Sequence, residues 1–171
     1  MTYLTIRDSA VEQIKKGMLP LFPKMRVEAL PGVFTEQSIR QQAQRTPAVL
    51  TSLVRVADGM GRNRYTFVSW VLYRATSEDK LYDGALKIVS ALTGVIGNAD
   101  YDEYIRETVT ESECLFSGTL DAMNVTLWAV KWELVLATRP LAKTGELDGL
   151  ENFDEDTAII DSVRPNTTME E

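Results

Sequence analysis

Apolar and polar positions alternate most clearly between Arg62 and Thr76. Thr66, Val68, Trp70 and Leu72 fall on one side, and Tyr65, Phe67, Ser69, Val71 and Tyr73 on the other. This period of two, in β-branched and aromatic residues, predicts a long strand. Directly after it the period changes. Leu81, Ala85, Ile88, Val89, Leu92 and Ile96 recur at three- and four-residue spacing and form one apolar stripe on a helix. Ser77 with Asp79 is the expected start of that helix, and Gly97 the expected stop. Strand followed by amphipathic helix predicts a sheet with a helix laid on it.

The flanking segments extend this pattern. Thr5 to Leu19 reads as a helix, with Ile6, Ala10, Val11, Ile14 and Met18 on one face, Thr5 as N-cap, and Pro20 and Pro23 preventing continuation. Met25–Leu30 is a short strand closed by Pro31-Gly32. Thr35 to Arg45 is a short polar helix, and Ile39 and Ala43, its clearest apolar positions, place it on the surface. Ala48 to Ala57 is a buried strand. Asp58-Gly59-Met60-Gly61 turns it into the long strand, which predicts an antiparallel hairpin. Asn98 to Thr110, polar and acidic, reads as a loop or short helix. Cys114 to Ala122 is a strand containing Gly118, Asp121 to Asn124 a turn, and Val125 to Thr138 the last long strand. Short connections between most strands favour an α+β fold: a mainly antiparallel sheet with helices packed on one face.

Residues 1–139 form the predicted domain, and residues 140–171 differ in kind. The latter stretch holds nine acidic and two basic residues, so it carries the whole net charge of −7 and leaves the first 139 residues neutral. Gly145, Gly149 and the run Asp154-Glu155-Asp156 argue against a packed element. Leu147, Leu150, Phe153, Ile159, Ile160 and Val163 are too apolar for a purely solvating tail. Thr157–Val163 has strand character. One reading is an acidic C-terminal arm that adds to a neighbour as an extra strand, with Phe153, Ile159 and Ile160 as contacts. The other is a segment that folds back on its own sheet or stays disordered. Deleting residues 140–171 is expected, on the first reading, to abolish assembly without unfolding the domain.

Composition narrows the chemistry. There is no histidine and one cysteine, Cys114. Imidazole-dependent triads and most zinc and non-haem iron sites are thereby excluded, as is an intrachain disulfide. The N-terminus lacks the basic region and apolar core of a signal peptide, and no apolar run reaches the length of a membrane helix, so a cytoplasmic origin is expected. The Asn-x-Thr matches at Asn124 and Asn166 then have no secretory context. A neutral domain is also a poor binder of nucleic acid, which requires neutralised phosphates.

Each local motif reads better as structure than as chemistry. Asn98-Ala-Asp100-Tyr-Asp102 begins like a calcium loop, but Glu103 and Val109 occupy the positions of its glycine and glutamate. Gly59-Met-Gly61 leads into a strand and has Arg64 at the third glycine position of a dinucleotide fingerprint. Trp70, Trp128 and Trp132, candidate stacking platforms, lie on apolar strand faces and are expected in the core. Cys114 beside Leu115 and Phe116 reads as a small buried hydrophobe. Glu111 and Glu113 would pair as carboxylates only in a pocket, and none is inferable. Arg62 and Arg64 at the hairpin tip are candidates to meet an acidic partner, although exposed turn arginines are more often simply solvated.

Taken in order, the N-terminal helix, Pro31–Phe34 (PGVF), the short helix leading to TPAVLTSLV (Thr46–Val54), FVSWVLYRAT (Phe67–Thr76), YDGALKIVSALTG (Tyr82–Gly94) and the tryptophan-alternating last strand resemble the tail-terminator family of Mu-like contractile-tailed bacteriophages. The resemblance covers roughly residues 5–138. Tyr101–Glu113 and the stretch from residue 140 fall outside it. It implies a structural virion protein, not an enzyme, with no cofactor and no bound metal. Such a protein assembles as a hexameric ring on the last ring of the tail tube, engages the sheath and presents a surface to the head connector. DNA passes through the ring without sequence-specific binding, and no membrane is involved. The implied location is the virion neck, after assembly in the host cytoplasm. Another neck or head–tail completion component, or an assembly chaperone or monomeric binding module, is the alternative.

Overall fold

A computed structural model describes residues 2–32, 35–59, 62–99, 104–120 and 123–136. The elements in chain order are α1 (Tyr3–Met18), β1 (Arg26–Ala29), α2 (Glu36–Ala43), β2 (Ala48–Gly59), β3 (Arg62–Ala75), α3 (Glu78–Gly97), β4 (Tyr104–Leu120) and β5 (Met123–Leu136). The fold is α+β. One five-stranded sheet has the order β1-β2-β3-β5-β4, in which β1 pairs parallel with β2 and the other three pairings are antiparallel. The segment joining β1 to β2 contains α2, which is the kind of crossover a parallel pair requires.

The periodicities set which face each element buries. In α1 the predicted stripe Ile6, Ala10, Val11, Ile14 and Met18 is buried, and all six stripe residues of α3 are buried. These two helices cover one face of the sheet, over Val27, Val49, Tyr65, Phe67, Val71, Trp128, Val130, Trp132, Leu134 and Leu136. Phe67 and Trp132, opposite each other in register, stack with ring centroids 4.4 Å apart. Gly17 of α1 lies against Val95 of α3, where an added Cβ would come within 2.4 Å of a valine methyl. The missing side chain is what lets the two helices approach so closely.

The expectation of helices on one face fails for α2. Ala43, fully buried, belongs to a second cluster with Ala48, Leu50, Trp70, Leu72, Val125 and Leu127, and Ile39 packs against it. These are the strand positions pointing away from α1 and α3. The physical reason is that Leu50, Trp70 and Leu72 make the second face of the sheet apolar as well, and a short helix with two apolar positions suffices to cover part of it.

Several boundaries also differ from expectation. The cap of α1 is Thr2, not Thr5: the Thr2 hydroxyl accepts from the Thr5 backbone N–H at 3.3 Å, and the Thr5 hydroxyl accepts from the Thr2 backbone N–H at 2.8 Å. This reciprocal capping box moves the cap three residues toward the N-terminus. Ser77 is the N-cap of α3 but its side chain makes no capping hydrogen bond, so the first-turn charges Glu78 and Asp79 are what complement the helix dipole. Residues 104–110, expected as loop or helix, are the first half of β4, a 17-residue strand. That strand lies at the sheet margin, where charged residues are tolerated because one side faces water.

Candidate interaction surface

The three tryptophans are structural. Trp132 is fully buried, and Trp70 and Trp128 nearly so. The Trp132 indole N–H donates to the Ser69 hydroxyl at 3.0 Å, and Ser69 shares a 2.8 Å hydrogen bond with the Thr51 hydroxyl on the next strand. Trp128 packs at a tilt on Tyr82 of α3, with centroids 5.6 Å apart, and its indole nitrogen has no hydrogen-bond partner among the described residues. Cys114 is half-buried against the core, its sulfur 3.6 Å from the Phe116 carbonyl oxygen and 3.8 Å from the Thr126 hydroxyl. It packs against the core as a small side chain but is less buried than expected, because β4 is the last strand of the sheet. No group of three or more His, Cys, Asp or Glu side chains with metal-binding geometry occurs among the described residues. No helix among them is long and apolar enough to cross a membrane.

Arg62 and Arg64 begin β3, and both are exposed. Arg64 is not merely solvated. Its Nε lies 3.6 Å from a Glu133 carboxylate oxygen on β5, a diagonal cross-strand pair, since Arg64 is in register with Val135 and Thr66 with Glu133. Phe153, Ile159 and Ile160, and the whole proposed arm, lie outside the described residues. So do Asp100 and Asp102 of the calcium-like loop.

Glu111 and Glu113 stand on exposed β4 positions, in register with Lys131 and Ala129 of β5. Leu115 beside them is 49% exposed at a register shift between Cys114 and Phe116. Among the described residues the pair therefore sits on the last strand of the sheet and is exposed, where it can meet another surface but does not hold a substrate out of water. At the opposite margin, Lys24 and Arg45 are exposed just before β1 and β2, whose first residues Arg26 and Ala48 are in register. Arg26 bridges Glu28 at 3.1 Å and also donates to the Gln42 side chain of α2.

The neutral total of residues 1–139 conceals a division that the sheet order makes spatial. Residues 1–59, which supply α1, β1, α2 and β2, hold eight basic and five acidic residues. Of the described residues in 78–136, which supply α3, β4 and β5, four are basic and seven acidic. In the order β1-β2-β3-β5-β4 the first set occupies one side of the sheet and the second the other. The central strand β3 adds Arg62, Arg64 and Arg74 between them. Four strand spacings separate the margins, roughly 19 Å. The division could have been counted from the sequence; its direction across the molecule required the strand order. Compared with known proteins, the chain matches no family model and no curated protein.

Proposed function

We propose that this protein is a structural component of a contractile phage tail: a tail terminator whose copies form a ring on the end of the tail tube. What carries the reading is the element order. A helix, a short helix, a long hairpin, a helix across the sheet and a last long strand follow one another here in the order of the segments that resemble the Mu-like family. Two features of the body support a role in assembly. The long strand β4 ends the sheet with a row of exposed positions, Glu111, Glu113, Leu115, Ser117 and Thr119. The charge is divided between opposite margins, so the two sides a cyclic assembly must join are chemically different. The ring, of six copies on this reading, halts tube growth, engages the sheath and offers its outer surface to the head connector. It works through shape and self-association.

The test is direct. Purified protein examined by sedimentation and negative-stain imaging is expected to form rings with a central hole, and to cap tails that lack their own terminator. Protein that remains monomeric at high concentration and leaves such tails uncapped defeats the reading.

A further inference from the structure

The ring reading leaves open how one copy meets the next, and the charge division answers it. We infer that the acidic β4 margin of one copy docks against the basic β1 margin of its neighbour, head to tail, so that the occupant of each margin is a second copy of this chain. The inference rests on the proposed ring and specifies its contact.

Like margins repel. Two β4 margins brought together would set Glu111 and Glu113 of one copy against the same residues of the other, with Lys131 on the adjacent strand as partial compensation. Two β1 margins would likewise oppose Lys24 and Arg45 of one copy to those of the other. Glu28 tempers the basic margin but is paired with Arg26, and Asp8 is paired with Arg7 at 2.7 Å. An isologous dimer through either margin therefore carries like-charge opposition, whereas the heterologous contact joins opposite signs. Electrostatic complementarity of this kind selects the partner and its orientation more than it sets raw affinity. A heterologous contact repeated around an axis closes into a ring instead of stopping at two.

Two full-length variants test this, each altering exposed residues only: E111K/E113K, which makes the β4 margin basic, and K24E/R45E, which makes the β1 margin acidic. Sedimentation velocity across a concentration series reads self-association, and thermal unfolding confirms that both variants fold. Each variant alone is expected to self-associate at least about tenfold more weakly than the parent, because its two margins now carry the same sign. An equimolar mixture is expected to regain rings, because alternating copies meet through one native contact and one charge-swapped contact. Undiminished assembly of either folded variant overturns the inference while leaving the ring intact. So does a mixture no better than its components, or stronger association of either variant alone. A parent protein that stays monomeric removes the ring itself, and the contact with it.

Discussion

The indole N–H of Trp132 on β5 donates to the hydroxyl of Ser69 on β3 at 3.0 Å, in a part of the core where both side chains are fully buried. Ser69 in turn shares a hydrogen bond with Thr51 on β2, so one polar chain crosses three strands beneath α1 and α3. Removing the middle member strands two buried groups. Ser69→Ala is therefore expected to cost about 1–3 kcal/mol, the penalty for buried polar groups left without partners. Ser69→Ala combined with Trp132→Phe should cost less than the sum of the two single changes, since the indole N–H is no longer there to be orphaned and only the Thr51 hydroxyl is left unpaired. Urea titration of the four proteins measures the coupling; strict additivity would mean the network adds nothing.

The helix pair is held at a distance that only glycine permits at position 17. In a helix interior, alanine is favoured over glycine by about 1 kcal/mol. Here the added methyl would meet Cγ1 of Val95 at 2.4 Å and its Cβ at 3.1 Å, atoms of a stiff β-branched side chain. The clash outweighs the propensity, and Gly17→Ala is expected to destabilise the fold by about 1–3 kcal/mol. Val95→Ala added to Gly17→Ala should recover part of the loss. A thermal midpoint that rises for Gly17→Ala alone would show that the helices move apart at no cost.

What could be read in the chain, and what could not, follows from how many residues carry each signal. The stripes of α1 and α3 are long and face a single core, and the alternation in β3 and β5 is long enough to separate the two faces of the sheet, so their buried residues were legible one by one. The first half of β4 was not. Arg106, Glu107 and Glu111 interrupt its apolar residues, a pattern suited to a strand at the margin that imitates a polar loop. The placement of α2 escaped because Ile39 and Ala43 show that it has an apolar side without saying which sheet face receives it. The clue lay elsewhere, in Leu50, Trp70 and Leu72, which need cover on the face that α3 leaves open. The pairing of Arg64 with Glu133 depends on a strand register set by residues far away in the chain.

That ion pair separates stability from assembly. Arg64 and Glu133 meet at 3.6 Å with the arginine side chain 61% exposed, so water screens most of their attraction. Replacing Arg62 and Arg64 by alanine is expected to change folding stability by less than about 1 kcal/mol, the usual range for exposed pairs. If the hairpin tip meets an acidic surface in the assembled tail, the same double variant should form rings but cap terminator-deficient tails less efficiently. Tail length distributions in electron micrographs report this; unchanged capping would exclude the tip as a contact.

The second face of the sheet gives the sharpest test of how the body is built. Ala43 is fully buried at the end of the eight-residue helix α2, in the cluster that includes Leu50, Trp70 and Leu72. A helix that short does not hold its form in water without tertiary contacts. Ala43→Glu would place a carboxylate in an apolar contact, and releasing the helix is the cheapest relief. The expected cost is about 2–4 kcal/mol. It should also be local: hydrogen exchange of the backbone amides in residues 36–43 should accelerate strongly, while α1 and α3, packed on the opposite face, keep their protection. Trp70 loses its cover in the same step, so its fluorescence should shift toward that of a solvated indole. Ala43→Ser, which fits the same volume with a smaller polar burden, should fall between the parent and the glutamate variant. Uniform acceleration across all three helices would instead mean that the two faces unfold as one unit, with α2 integral to the core and not a cover laid over it.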